Sequence, residues 1–168
     1  HPPNLAGVGT FQPVERAFRV LHEMNPGIRR VGVVWNPGEQ CSEACMYEAR
    51  AICAELGIEL KEAVATVTAE VAEAVKSLLA SGVDAVWIGG DTVAIAAAPL
   101  IISSARQAGV PVITNDPTDS EAGALFGLGA DYHLVGRYTA DVAIALLDGE
   151  PASSMRIDNV IPEMLSLN

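Results

Sequence analysis

Ala85-Val86-Trp87-Ile88-Gly89-Gly90-Asp91-Thr92 decides the fold of this chain. Four apolar residues without polar alternation read as a strand buried on both faces. The glycine pair, acid and threonine that follow read as the turn ending it. Outward in both directions the pattern recurs. Val31-Gly32-Val33-Val34-Trp35 runs into Asn36-Pro37-Gly38-Glu39, Val112-Ile113-Thr114 into Asn115-Asp116, and Ala124-Leu125-Phe126-Gly127-Leu128 into Gly129-Ala130-Asp131. Stretches with helical spacing lie between the runs. Such alternation, with short connections, specifies an α/β fold: a doubly wound open parallel sheet in three layers, α/β/α. Its core is predicted to include Val33, Val86, Ile88, Val112 and Leu125. All strands of such a sheet end on one edge, and ligands bind in the crevice beyond it. The polar tips are therefore predicted to gather on one rim.

The intervening segments carry their own start and stop signals. Residues 1–13 hold Pro2, Pro3, Gly7, Gly9 and Pro13 and read as a crossing segment or linker. Val14, Ala17, Phe18, Leu21 and Met24 mark a helix that Asn25-Pro26-Gly27 stops. Ser42 is the expected N-cap of a helix over 43–56 that Gly57 ends. Residues 58–65 alternate apolar and charged and predict a half-exposed strand. Thr68 is the expected cap of a helix bearing Val71, Ala74, Val75, Leu78 and Leu79, ended by Ser81-Gly82. A helix over 92–108 contains Pro99, which predicts a kink. Residues 117–122 predict a short turn or helix. Asp131 caps a last helix to about Leu147, and residues 155–167 read as a final extended segment. The organisation is thus a crossing segment (1–13), an α/β body (14–130), a helix over 131–150 and a closing extended segment (151–168).

The 168 residues are 50% hydrophobic, which suits one domain with a buried core. There are 21 acidic against 10 basic residues, a formal charge of −11, so a nucleic-acid partner is not expected. The acids are spread along the chain as on a solvated surface. Three cysteines, Cys41, Cys45 and Cys53, fall in one short segment. They make neither a disulfide framework nor a zinc motif. Cys45 and Cys53 share the apolar side of a helix with Ala49, Ile52 and Leu56. Cys41 lies at its start, where a thiolate is stabilised. The chain opens on His1 rather than Met and reads as a mature or truncated product.

No dinucleotide loop, P-loop, nucleophile elbow or H-E-x-x-H helix is present. His1, His22 and His133 are far apart and read as exposed or packed side chains. No metal set and no cofactor loop is read. Asp91 and Asp116 stand at the tips of strands expected to be neighbours. Two such carboxylates suit acid–base work, binding of an ammonium or hydroxyl groups, or capping of the next helix. Without a nucleophile beside them, binding is more economical than catalysis. Asn36 to Glu39 with Ser42 form a loop entering a helix. Its free N–H groups favour an anion, and an ordinary capped turn is the competing reading.

These residues carry a resemblance. Asn4-Leu5-Ala6-Gly7-Val8, then Arg30 to Glu39 with Ser42, is similar to the pattern N-x-T-G-V … R-I-G-V-L-Y-N-P-x-E-x-x-S. Leu56 to Leu60 is similar to L-G-I-E-L, and Asp84 to Thr92 to D-A-I-Y-V-P-T-D-N-T. Val110 to Asp116 resembles I-P-V-F-A-S-D, and Gly123 to Arg137 resembles G-A-L-A-A-L-G-V-D-Y-Y-Q-L-G-R. The patterns belong to ABC-transporter substrate-binding proteins of the tryptophan/tyrosine-binding-like group. The match runs in order over nearly the whole chain. It implies a periplasmic-binding-protein-like lobe, a partner lobe outside this sequence, and ligand held in the cleft between them. The helix over 131–150 would return to that lobe.

The resemblance also implies an extracytoplasmic, periplasmic or lipoprotein setting. The protein would be the non-catalytic solute-binding component of an importer, handing an amino-acid-like ligand to an ABC permease. Asn36 and Ser42 would hold the ligand carboxylate, and Asp91 and Thr92 its amine. Asp116 would add a further polar contact, with Glu39 and Asn115 on the same rim. The pattern's T-D-N-T is Gly90-Asp91-Thr92-Val93 here and its A-S-D is Thr114-Asn115-Asp116, so an aromatic amino acid does not follow automatically. A ligand-sensing domain of a signalling or transcriptional regulator is the alternative, and a flavodoxin-like enzyme the third. The apolar side of the last helix, with Val135, Val142 and Leu146, would favour self-association if left uncovered.

Overall fold

The computed structural model describes residues 2–168; His1, read above with the other histidines, lies outside them. One six-stranded sheet has the order β2-β1-β3-β4-β5-β6. The strands are β1 (Arg30–Trp35), β2 (Glu59–Val64), β3 (Ala85–Ile88), β4 (Val112–Thr114), β5 (Phe126–Ala130) and β6 (Glu163–Leu167). The first five run parallel, with Val31 opposite Ala85, Val86 opposite Val112 and Ile113 opposite Phe126. β6 runs antiparallel to β5. The expected extended segment over 155–167 therefore closes the sheet as an edge strand, reached from β5 through a helix and a 3₁₀ turn.

Helices α1 (Val14–Met24) and α2 (Gln40–Leu56) cover one face of the sheet. Helices α3 (Thr68–Ala80), α4 (Thr92–Ala96) and α5 (Ala98–Gln107) cover the other. Alternating strand residues feed the two cores. Val33, Trp87 and Ile113 meet α1 and α2, whereas Val34, Val86, Ile88 and Val112 meet α3 to α5. Phe18 packs edge-on to Trp87, ring centroids 5.1 Å apart, an arrangement the ring quadrupoles favour. Val33, Val86, Ile88 and Val112 are buried as expected, and Leu125 is only half-buried. β2 alternates between exposed and half-buried positions, as an edge strand does.

Several boundaries differ from the sequence reading for local reasons. Ser42 does not cap α2: that helix starts at Gln40, with Glu39 in the N-cap position, and Ser42 is buried inside its first turn. Thr68 likewise begins α3 rather than capping it. Its start is held by the Glu70 carboxylate, which accepts from the Thr66 N–H and hydroxyl. The helix expected over 92–108 is two helices. Ala97 leaves helical geometry, and Pro99 falls in the first turn of α5, where its missing N–H costs nothing. β5 lies two residues later than expected. Gly129 and Ala130, read as a tip, belong to the strand.

Residues 2–13 run beside the chain leading into β6. Gly9 bridges Asn159 in parallel, and the Phe11 N–H donates to the Asn159 side chain at 2.6 Å. Helix α6 (Tyr132–Leu147) is capped by Asp131, whose Oδ1 accepts from the His133 and Leu134 N–H groups. Val135 is its only buried side chain. No helix among the described residues is long and apolar enough to cross a membrane.

Candidate functional site

The chain reverses its direction of winding between β1 and β3, so the crevice is expected at their C-terminal ends. Three expected site residues meet there. Asp91 Oδ2 accepts from the Ser42 hydroxyl at 2.7 Å and from the Asn36 N–H at 2.6 Å. Asp91 Oδ1 accepts from the Ala94 N–H at 2.7 Å, which caps α4. Asp91 is 3% exposed and Ser42 2%. A carboxylate that far from water is sustained only by such donors. The Asn36 side chain turns into its own loop and accepts from the Gly38 N–H. Glu39 stands further out and accepts from the Thr92 N–H and hydroxyl. These five residues tie the β1 tip to the β3 tip, and a void lined by Ser42 and Asp91 measures about 10 Å³.

The open cleft lies next to this knot, beyond β3, β4 and β5. It measures about 520 Å³, within the range of small-molecule sites. Asn115 and Asp116 line it, with Asp119, Thr118 and Asp131 adding polar groups. Ile88, Ile95, Pro117, Tyr132 and Met164 supply apolar walls, and Gln12 from the crossing segment completes one side. No Lys or Arg lines it. The expected single rim is thus two adjacent groups. Asn115 and Asp116 face the cleft, while Asn36, Glu39, Ser42, Asp91 and Thr92 form the bonded knot beside it and do not line it.

Asn115 has a second task. It is 7% exposed; its Oδ1 accepts from the Trp87 indole N–H at 2.8 Å, and its Nδ2 donates to the Leu128 carbonyl at 3.0 Å. This fixes the β4 tip against β3 and β5. Asp116 Oδ1 accepts from the Thr118 N–H and hydroxyl, capping the 3₁₀ turn Pro117–Ser120. Close backbone approach holds this loop down. A Cβ at Gly127 would lie 2.0 Å from the Asp116 carbonyl oxygen, and one at Gly129 2.4 Å from that of Asn115. Only glycine fits where the loop crosses β5.

Asp119 was not anticipated. Burial pushes its carboxyl above the usual carboxylate range and the nearby Asp116 adds to this, while a hydrogen bond with the Thr114 hydroxyl opposes it. Its position three residues past the β4 tip, in Pro117-Thr118-Asp119-Ser120, was the available signal. Tyr132, Ile95 and Met164 were also unread as lining residues, since each comes from an element whose placement only the packed fold defines.

Residues 1–168 match the model of the family described as ABC transporter substrate binding protein. The chain belongs to that family. A curated relative, the tyrosine-binding protein of Clostridioides difficile (strain R20291), is 20% identical over 165 residues, which are 98% of this chain and 48% of that protein. Among solved structures, a conserved domain protein from Vibrio cholerae is 31% identical with a TM-score of 0.88, over 98% of this chain and 55% of that one. The ABC domain in complex with L-Trp from Streptococcus pneumonia is 21% identical with a TM-score of 0.85, over 98% of this chain and 56% of that one, and shares the fold. The chain spans about half the length of the curated relative it matches.

Proposed function

We propose that this chain is one lobe of the solute-binding component of an ABC importer. It holds one side of a small, polar, amino-acid-like ligand and performs no chemistry on it. The observation carrying this reading is the open cleft of about 520 Å³ at the sheet edge, with apolar walls and Asp116 among the residues that line it. One Asp116 oxygen caps Thr118, and the carboxylate retains capacity to accept from a ligand ammonium. Family membership supports import over the sensing and enzymatic alternatives. Partners of the whole protein would be an ABC permease and a small-molecule ligand, in an extracytoplasmic setting.

The mechanism is closure of two lobes on the ligand. Contacts to both lobes stabilise the closed state, and the transporter recognises that state. Asp116 contributes directly in this reading. The knot of Asn36, Ser42 and Asp91 holds the neighbouring loops in place, so that the lobe meets the ligand already ordered. Glu39, Thr92 and Asn115 act as supports of the same kind.

Calorimetry with the twenty L-amino acids on the full-length protein tests the proposal. At least one is expected to bind, and Asp116→Ala is expected to weaken it about tenfold, or ~1.4 kcal/mol. Binding of none, or unchanged affinity in Asp116→Ala, would overturn the assignment.

A further inference from the structure

Cys41 and Cys45 stand one helical turn apart at the start of α2, and neither lines the cleft. Cys41 is exposed and Cys45 buried. Both sulfurs face Gly90 of the β3 tip: a Cβ built there would lie 3.0 Å from Cys45 Sγ and 3.3 Å from Cys41 Sγ. The sulfurs are therefore no further apart than the sum of those distances. The Cys41 side chain and the Gly90 N–H are the groups that act on the Cys45 thiol at this point.

This spacing separates two kinds of thiol chemistry. Residues four apart on a helix have Cβ atoms about 5–6 Å apart. A disulfide needs about 3.5–4.5 Å, so forming one would unwind the first turn of α2. An ion bridging two sulfurs needs no such contraction, because each metal–sulfur bond adds ~2.3 Å between them. Zinc structural sites require four ligands. Among the described residues no group of three or more His, Cys, Asp and Glu is placed to hold a metal. A cation content with two thiolates remains, and soft thiolates select copper(I).

We propose that Cys41 and Cys45 form a two-thiolate seat for a soft cation of the copper(I) class, entered from solvent at Cys41 and backed by the Gly90 N–H. On binding, both thiols give their protons to solvent, two sulfur–copper bonds form, and no electron is transferred. The Gly90 N–H beside the Cys45 sulfur offsets part of the single negative charge that results, as outer-shell donors do at metal–sulfur centres. Both thiols must lose their protons to bind the metal, so binding strengthens with pH. Gly90 leaves the room that the sulfurs occupy, and it immediately precedes Asp91. Cys53, buried two turns further along α2, is the internal control.

Anaerobic titration of the purified full-length protein with copper(I), against a chromophoric copper(I) chelator, tests this. One ion per chain is expected, with two thiols fewer open to a thiol reagent than in the metal-free protein. Affinity should fall at least a hundredfold in Cys41→Ser and be unchanged in Cys53→Ser. Cys41 is exposed, so its serine variant retains the fold. Gly90→Ala, with a methyl group pressed on both sulfurs, should also bind less tightly. Full copper(I) affinity in Cys41→Ser, or equal loss in Cys53→Ser, would overturn the site. So would a Cys41–Cys45 disulfide formed under mild oxidant without change in helix content.

Discussion

The Ser42 hydroxyl donates to Asp91 Oδ2 across 2.7 Å, joining the first turn of α2 to the tip of β3 at the point where the sheet changes winding direction. Both residues are buried, and the same oxygen takes the Asn36 N–H while its twin caps α4. One carboxylate thus serves three elements. Asp91→Ala leaves the Ser42 hydroxyl and the Ala94 N–H without their acceptor, and the Asn36 N–H with only its longer bond of 3.3 Å to the Ser42 hydroxyl oxygen. A buried donor left unpaired costs about 1–3 kcal/mol, so a net loss of ~3 kcal/mol is expected after partial hydration of the site. Ser42→Ala removes one donor and should cost ~1 kcal/mol. Urea denaturation monitored by circular dichroism measures both. Equal costs for the two variants would contradict the hub role of Asp91.

Gly127→Ala tests the close crossing of the Asn115–Asp116 backbone over β5. The new methyl would lie 2.0 Å from the Asp116 carbonyl oxygen, and backbone cannot swing aside as a side chain can. Overpacking of this kind costs about 1–3 kcal/mol, and the upper end is expected here. Gly136→Ala on α6 is the counterpart: nothing lies within 4 Å of its Cβ position, and alanine favours helix over glycine by up to ~1 kcal/mol. The pair should move the denaturation midpoint in opposite directions. If Gly127→Ala were as stable as the natural chain, the crossing would be looser than the structure places it.

The strand tips were legible because polar residues after apolar runs can end a parallel strand in few ways. Asp131 and Asp116 were legible as caps for the same local reason. The cleft was less so. Sequence position placed Asp91 and Asp116 on one edge but could not say that the first would spend both oxygens on its neighbours. That depends on β1 lying beside β3, which brings Asn36 and Ser42 within reach. The two-residue shift of β5 has a similar origin. Gly129 looks like a turn residue in sequence, yet it and Gly127 are glycines because another backbone crosses them. The antiparallel β6 was visible only as an extended segment, since its pairing with β5 is set by where the chain returns.

Asp84 and Asp119 give stability slopes of opposite sign with pH. The Arg29 N–H chiefly holds the Asp84 carboxyl below the usual carboxylate range; burial opposes this, and Arg30 adds through its N–H and guanidinium. A carboxylate held low contributes stability that is present above its unfolded value of about 3.9 and is lost as pH falls through the folded value. Asp84→Asn should therefore be less stable than the natural chain at pH 7, with the gap closing toward pH 3. Burial raises Asp119, so its contribution is present at low pH and lost as pH rises. Asp119→Asn should narrow its deficit, or gain, as pH rises from 3 to 7. Denaturation midpoints across that range check both, and a flat difference for either variant would reject its assignment.

The last prediction concerns α6. Its 16 residues bury only Val135, while Ile144 is 56% exposed and Leu147 87% exposed. Of the stripe read in the sequence, Val135 is buried, Val142 half-buried and Leu146 exposed, so the stripe is only partly uncovered. The side chains of Met164 and Leu167 on the edge strand β6 add to the apolar surface, at 43% and 63% exposure. Monomeric proteins rarely leave large apolar patches open, and four large apolar side chains on α6 are exposed here: Leu134, Ile144, Leu146 and Leu147. This chain studied alone should therefore self-associate, and sedimentation velocity at rising concentration should show dimers or larger species. Ile144→Lys with Leu147→Glu should restore the monomer without loss of stability, because neither side chain packs on the body. In the proposed two-lobed protein, a ligand on this lobe alone would keep one side in water, whereas small-molecule sites cover about 70–90% of the ligand surface. Calorimetry should therefore find the full-length protein binding far more tightly than residues 1–168. A monomeric 1–168 chain with the affinity of the full-length protein would make this a complete binding domain, and would remove the two-lobe reading.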